Sequence, residues 1–293
     1  MKEGRPSHTA LAGAAVRALE TLLPLQLRWC TDELAAAFLE PHHRLLLACC
    51  RASGAVRNLV ERSLDQRYSG VPMDFISRTR WIDERVVAWL ANAPERLIVA
   101  GAGYDTRCLR LTMPANVERI EVDHPATQAR KQRIATARFA QRAASVRWLP
   151  QDLTLGPPGL LLDQQRTLTV VEGLSGYLPL ASVEALLAWV HNASSVGSAL
   201  VFTYIEATWL REETRNDGPI VRALRRNGES FLTSFTRTEV STLLSAHGFA
   251  VAEDVSEQHL AEDMMRATGR TLACIPGFRL AFAHMHSATG THA

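Results

Sequence analysis

The chain has 293 residues, 47% of them hydrophobic and 21% charged, which fits one large globular domain or a domain with an added cap. Its net charge of +2 gives no strong attraction to nucleic acid or to an anionic membrane, so neither is expected as a partner. Five cysteines, an odd number without Cys-x-x-Cys spacing, argue against a disulfide framework and a zinc site, so we expect a cytoplasmic protein with no metal site.

Helical spacing dominates the first third of the chain. Apolar residues recur at helical spacing between residues 9 and 23, and Pro24 ends that pattern. Further helices are predicted over residues 31–38, 42–50 and 71–92. We therefore expect residues 1–70 to form a helical N-terminal cap and residues 71–293 to form the main domain.

The segment that follows, residues 96–107, predicts a short apolar strand that leads into a turn containing Gly101 and Gly103. Glycines in such a turn let a ligand approach the backbone, and ligands bind at the carboxyl ends of strands in open α/β sheets. The next predicted strand, residues 117–123, ends in Asp123. This residue lies 20 positions after Gly103, where a carboxylate holds ribose hydroxyls in nucleotide-binding βαβ units.

The same turn disfavours a dinucleotide. A Gly-x-Gly-x-x-Gly motif places a pyrophosphate on a helix N-terminus, but Thr106 stands in place of the third glycine. Asp105, at the start of a predicted helix, would repel phosphates and tolerate a ligand with a cationic centre. S-adenosylmethionine, which carries a sulfonium, is therefore favoured over NAD. Asp105 also fits the position of an ordinary helix N-cap.

Strands and helices alternate through most of the remaining chain. Helices are predicted over residues 125–142, 183–190 and 236–248, and strands over residues 146–149, 167–171, 199–204, 249–255 and 277–284. Residues 206–235 break this alternation, and we interpret them as an arginine-rich helical lid that follows a strand's carboxyl end. These arginines would attract an acidic substrate, although a solvated charged helix face is the better explanation for most of them. The alternation predicts an α/β, doubly wound sheet.

Five segments occur in order: Ser77–Asp83, Gly101–Arg107, Glu121–Pro125, Gln151–Leu153 and Glu172–Leu178. As a set they resemble the leucine carboxyl methyltransferase family, in its branch of bacterial S-adenosylmethionine-dependent enzymes that includes polyketide O-methyltransferases. The resemblance implies a seven-stranded, mostly parallel Rossmann-like methyltransferase sheet with a final antiparallel strand. In one departure, Ser175 and Gly176 stand where the family usually has larger apolar residues. We expect this pair to line the reaction pocket and the substrate to differ accordingly.

The resemblance also implies roles for individual residues. Arg78 would hold the cofactor's carboxylate, Glu172 its ammonium and Asp123 the ribose. The full set of predicted cofactor-binding residues is Arg78, Gly101, Gly103, Asp105, Asp123, Asp152, Leu153 and Glu172, with Asp152 and Leu153 at the adenine. Alternatively, Arg78 forms a surface ion pair with Asp83 or Glu84, and Glu172 pairs with a neighbouring arginine.

The predicted reaction is methyl transfer from S-adenosylmethionine to an oxygen of a small metabolite, by in-line displacement. A general base is needed only for an alcohol or phenol, because a carboxylate is already ionised at neutral pH. Tyr177 and His124 are the candidate bases, and the lack of an evident base favours a carboxylate acceptor or a role of the protein confined to positioning. Nitrogen and carbon acceptors, a non-catalytic cofactor-binding module and an NAD-linked oxidoreductase stay open, as does the oligomeric state. A role in natural-product metabolism is expected from the family branch.

Overall fold

A computed structural model describes residues 8–226 and 228–286. Its strands are β1 (Arg96–Ala100), β2 (Glu118–Asp123), β3 (Val146–Pro150), β4 (Thr167–Val171), β5 (Ala199–Ile205), β6 (Phe249–Ser256) and β7 (Phe278–Met285). They form one sheet in the order β3-β2-β1-β4-β5-β7-β6. β1 to β5 run parallel, and β7 is antiparallel to both neighbours. The predicted doubly wound, mostly parallel sheet is confirmed.

The helices of the described chain flank this sheet. They are α1 (His8–Glu20), α2 (Pro41–Ala52), α3 (Gly54–Arg67), α4 (Val71–Leu90), α5 (Arg107–Arg110), α6 (Pro125–Arg138), α7 (Ala140–Ala144), α8 (Leu180–Ala193), α9 (Ala207–Arg215), α10 (Pro219–Arg226), α11 (Arg237–Ala246) and α12 (Glu257–Thr268). None of the helices within the described ranges is long and apolar enough to cross a membrane.

Local chemistry accounts for several helix boundaries. The predicted capping box is present at α11, where Thr236 and Glu239 bond each other's backbone N–H groups. The helix predicted over residues 125–142 is instead two helices, because Phe139 between them has an extended φ of −141°. The helix predicted over residues 31–38 is only a 3₁₀ turn, Ala35–Phe38. The sequence analysis missed α3 and α12; α3 has no buried residue, and its apolar periodicity is correspondingly weak.

The sheet carries apolar layers on both faces. Every residue of β1, β4 and β5 is buried, as expected for central parallel strands that are covered on both sides. Successive side chains alternate between the faces, so Leu97 and Val99 join the layer packed with α1 and α4, whereas Ile98 and Ala100 join the layer packed with α8 and α11. β1 and β4 are neighbours although the chain passes through β2 and β3 between them. This reversal of strand order leaves a crevice at their carboxyl ends.

Candidate functional site

Two adjoining cavities lie at the carboxyl ends of the central strands. The first, which we call the polar cavity, has a volume of about 530 Å³ and is bordered by Gly101–Asp105, Asp123 and Glu172. The second, the apolar cavity, has about 540 Å³ and extends between α1, α2, α3 and α4. The residues that line both, and form their shared wall, are Thr9, Phe75, Arg78, Gly173, Leu174 and Tyr177.

The turn after β1 is built on glycine conformations and on one carboxylate. Gly101 and Gly103 have φ values of +68° and +43°, in the left-handed region. The Gly103 N–H donates to Asp123 Oδ2 at 2.7 Å, and the His124 N–H donates to Asp123 Oδ1 at 2.7 Å. Burial raises the Asp123 pKa, and these backbone donors offset part of the effect. The structure therefore brings the predicted glycines and Asp123 together, as the spacing of 20 residues indicated.

This geometry gives a matched pair of glycine predictions. A Cβ at Gly103 would lie 3.0 Å from Ala10 Cβ at a strained positive φ, so Gly103→Ala is expected to destabilise the protein by about 1–2 kcal/mol. Gly54→Ala, at an exposed helix start where the nearest atom is 3.6 Å away, is expected to be neutral or slightly stabilising. Urea unfolding measures both. Equal effects of the two substitutions would contradict this account of the turn.

Arg107 organises a buried ionic network beside the turn. Its side chain is 2% exposed, its Nε donates to Asp83 Oδ1 at 2.7 Å, and its Nη1 bonds both Asp105 and Glu172. Glu172 also accepts a bond from Arg78 Nε at 2.7 Å. Burial opposes ionisation of the Glu172 carboxyl, but Arg107 and Arg78 hold its pKa below the ordinary value. Glu172 is therefore an anion that already has two guanidinium partners.

Two predicted site residues therefore have protein partners as well as a place in the cavity wall. Arg78 pairs with Asp74 and Glu172 instead of the nearby acids Asp83 and Glu84, and it lines both cavities. Asp105 lies two residues before α5 begins, and its Oδ1 accepts from the Arg107 N–H at 2.6 Å. Burial opposes ionisation of Asp105, yet Arg107 and Lys131 lower its pKa to about 2. The N-cap of α5 is Thr106, so the prediction of Asp105 as the N-cap is wrong by one residue, although its carboxylate does bond the first helical N–H and lines the polar cavity.

The adenine end of the predicted site contains His124 and Asp152. Asp152 Oδ1 accepts bonds from Thr154 N and Oγ1 at 3.0 and 2.6 Å, and its Oδ2 lies 3.8 Å from His124 Nε2. His124 Nδ1 accepts from the Ala126 N–H at 3.3 Å and so caps α6. Both residues, and the buried Leu153, line the polar cavity and do not line the apolar cavity. His124 is thus placed away from the apolar cavity.

Tyr177, the other candidate base, lies in the shared wall. Its ring packs against Phe231, with centroids 5.2 Å apart. Burial and the Glu229 carboxylate raise the pKa of its hydroxyl far above the ordinary value. This hydroxyl therefore keeps its proton at neutral pH and is available as a hydrogen-bond donor.

The sequence analysis missed several residues that shape the site. Arg107 ends the quoted Gly101–Arg107 segment, so the motif contained a signal for it. Thr203 accepts a bond from the Gly173 N–H at 2.8 Å. The resemblance implied that the segment near Thr9 lies beside the cofactor, but not its partner: Thr9 Oγ1 donates to Glu229 Oε2 at 2.7 Å. The latter pair joins residues 220 positions apart, which no local pattern reveals.

The unusual pair Ser175–Gly176 does line the apolar cavity. Ser175 Oγ donates to the Thr203 carbonyl at 2.7 Å, and the Gly176 carbonyl accepts from the Leu232 N–H at 2.7 Å. A Cβ on Gly176 would lie 2.6 Å from Ile205 Cδ1. The absence of a side chain at Gly176 thus allows β5 and the segment after α10 to pack closely around this turn.

No group of three or more potential ligands that could hold a metal ion occurs in residues 8–226 or 228–286.

The family model for leucine carboxyl methyltransferase matches residues 10–191. The chain belongs to the leucine carboxyl methyltransferase family. This finding confirms the resemblance seen in the five ordered segments, and with it S-adenosylmethionine as the cofactor of the family.

Proteins from Frankia alni and Rhodococcus jostii are similar to this chain over part of their length. A putative S-adenosyl-L-methionine-dependent methyltransferase of Frankia alni is 34% identical over 48% of this chain and 52% of its own. A second from Frankia alni is 30% identical over 67% of each chain, and one from Rhodococcus jostii is 33% identical over 65% of this chain and 63% of its own. The chain thus spans about half of the first relative and about two thirds of the others.

Among solved structures, the magnesium protoporphyrin IX methyltransferase of Synechocystis PCC 6803 with bound S-adenosylhomocysteine superposes with a TM-score of 0.50. The alignment covers 74% of this chain and 87% of that one at 15% identity. At that identity the similarity concerns the fold alone, and it agrees with the Rossmann-like methyltransferase sheet.

Proposed function

We propose that this leucine carboxyl methyltransferase family member transfers a methyl group from S-adenosylmethionine to an oxygen of a small molecule. The charge of the polar cavity is the observation that carries the proposal. Its lining holds four arginines and five carboxylates, which are Arg17, Arg78, Arg107, Arg110, Asp105, Asp123, Asp152, Glu172 and Glu229. The excess of negative charge suits a ligand with a net positive charge, and it disfavours the pyrophosphate of NAD.

The residues of the cavity fit this cofactor group by group. Asp123 has lone pairs beyond its two backbone bonds that are available to ribose hydroxyls, and Asp152 with Leu153 lies at the adenine end. Glu172 would hold the ammonium and Arg78 the carboxylate, each oriented by the ionic network. Gly101 and Gly103 leave room for the ligand next to the backbone. When bound, S-adenosylmethionine supplies an electrophilic methyl group on a sulfonium.

The protein's contribution to catalysis is then positioning and the exclusion of water. The shared wall is where the two cavities meet, so the acceptor oxygen would lie beside Tyr177 and Arg78. Tyr177 keeps its proton and would orient the acceptor, whereas His124 lines only the polar cavity. A carboxylate acceptor needs no base, and the arrangement supports that acceptor over an alcohol or phenol.

We propose that the helices before α4 act as a cap and that α9 and α10 act as a lid. Ile220, Ala223 and Leu224 of α10 line the apolar cavity. The lid arginines Arg211, Arg215, Arg222, Arg225 and Arg226 are exposed and line neither cavity. An acidic acceptor would therefore be held at the shared wall and not by the lid. A cytoplasmic role in natural-product metabolism completes the proposal.

Tritium transfer from methyl-labelled S-adenosylmethionine tests the reaction. The protein is incubated with a panel of apolar carboxylic acids, alcohols and phenols, and extracted label is treated with alkali. Carboxyl methyl esters release methanol, whereas ethers do not. We expect alkali-labile label. Alkali-stable label would overturn the carboxylate assignment, and S-adenosylhomocysteine binding without any transfer would favour a non-catalytic module.

A further inference from the structure

The apolar cavity is an extension that the cofactor does not need. It meets the polar cavity at the shared wall and continues away from it to Leu46, Leu47, Val60 and Leu64, on α2 and α3. Its volume of about 540 Å³ lies within the range of pockets that enclose a small organic ligand. A largely apolar space of this kind, next to the proposed site of methyl transfer, is suited to the rest of the acceptor molecule.

The charges that reach this cavity are already neutralised. Besides His43, whose pKa burial lowers, the charged side chains in its lining are Asp74, Arg78 and Arg279. Asp74 bonds Arg78, and Arg279 donates to Asp254 Oδ1 at 2.9 Å. A second charged group on the acceptor would lose its hydration here without gaining a free counter-ion. The cavity therefore favours an acceptor that is uncharged along its length.

The route into the cavity is also apolar. Leu46 and Tyr68 line the cavity, yet they are 44% and 43% exposed, so the cavity reaches the surface beside α2 and α3. An apolar molecule would meet apolar side chains from the surface inward to the shared wall.

Resting on the proposed function, we infer that the methyl acceptor is an elongated, predominantly apolar molecule. Its tail would occupy the apolar cavity between α1, α2, α3 and α4, and its methyl-accepting oxygen would lie at the shared wall beside Tyr177. Binding would be driven by burial of the tail, and the oxygen would set its orientation.

Linear alcohols of increasing length test this inference with the whole chain. 1-Hexanol, 1-octanol and 1-decanol are titrated calorimetrically in the presence of saturating S-adenosylhomocysteine. We expect the affinity to rise by about fourfold for each added methylene, the value for burying one CH₂ group. An affinity that does not depend on chain length would overturn the inference, although S-adenosylhomocysteine binding would still support the proposed function. Loss of S-adenosylhomocysteine binding itself would instead contradict the proposed function.

Two substitutions on α3 compare a residue that lines the apolar cavity with a residue on the protein surface. Leu64→Trp places a large ring in the cavity, whereas Leu59→Trp makes the same change at a residue that is 69% exposed and outside it. We expect Leu64→Trp to abolish the dependence on chain length and Leu59→Trp to preserve it, with S-adenosylhomocysteine affinity unchanged in both. Leu64→Ala, which enlarges the cavity, should move the preference toward the longer alcohols. Equal behaviour of the two tryptophan variants would overturn the inference.

Discussion

Replacing Arg107 by methionine is expected to lower the free energy of unfolding by about 3–5 kcal/mol, the cost of breaking a buried ion pair. The substitution leaves Asp83, Asp105 and Glu172 without the cation that they share. The ion pairs are buried, because the Arg107 side chain that makes them is 2% exposed. Urea unfolding measures the loss, and S-adenosylhomocysteine affinity should fall with it because Glu172 loses one of its orienting partners.

The control for this variant is Arg225→Met, which removes an exposed arginine that lies 3.0 Å from Asp217. An exposed pair contributes at most about 1 kcal/mol, so this change should be small. If the two substitutions destabilised the protein equally, the buried network would not be the structural centre of the site.

The same network predicts a dependence on pH. Asp105 and Glu172 have pKa values below their ordinary ones, and that of Asp105 falls from 3.8 to about 2. A carboxylate with a depressed pKa stabilises the fold above its unfolded pKa and loses that effect as the pH falls through the folded value. The stability difference between wild type and Arg107→Met should therefore shrink as the pH is lowered from 5 toward 2. A difference that does not change with pH would contradict the ionic account.

The second large effect is expected at Lys131 on α6. Its Nζ lies 2.5 Å from Glu121 Oε2, and both side chains are 1% exposed. Lys131→Met leaves a buried carboxylate without a partner, which should cost about 3–5 kcal/mol of unfolding free energy. Arg133→Met changes an exposed residue of the same helix and should stay within about 0.5 kcal/mol. If the double variant Lys131→Met/Glu121→Leu regains the unfolding free energy that Lys131→Met loses, the unpaired carboxylate of Glu121 is the cause of the loss.

The pH dependence of the unfolding free energy is an independent test of the Lys131–Glu121 ion pair. Burial raises the pKa of Glu121 from 4.5 to about 7, although Lys131 lowers it in part. A carboxyl with a raised pKa is best accommodated while protonated and destabilises the fold as the pH rises through its folded value. The cost of Lys131→Met should therefore be greater at pH 8 than at pH 5. The opposite trend would contradict the assignment of the buried charge.

Sequence patterns revealed the sheet because its central strands are short, apolar and buried on both faces. Thr167–Val171 begins and ends where the predicted strand does, and the capping box of α11 is present. Patterns failed where tertiary contacts decide the structure. The apolar residues that α3 packs against the core are only half-buried, and the break at Phe139 depends on the non-helical backbone angles of one residue.

The candidate site shows the same division between local and distant information. Gly103 and Asp123 could be paired from their spacing, because a βαβ unit fixes the distance between consecutive strand ends. The ion pairs of Glu172 with Arg78 and Arg107 span 94 and 65 residues, so the sequence left an arginine partner and a ligand ammonium as alternatives. The packing around Gly176 likewise depends on a lid segment that lies far away in sequence.

Calorimetric titration with S-adenosylhomocysteine, followed by NADH, tests the central claim most directly, with Asp123→Ala as the variant and Asp217→Ala as an exposed control. We expect wild type and Asp217→Ala to bind S-adenosylhomocysteine equally. Asp123→Ala should bind at least about tenfold more weakly, because it loses hydrogen bonds to a charged acceptor. No binding of S-adenosylhomocysteine to folded wild-type protein, or tight binding of NADH in its place, would contradict the account.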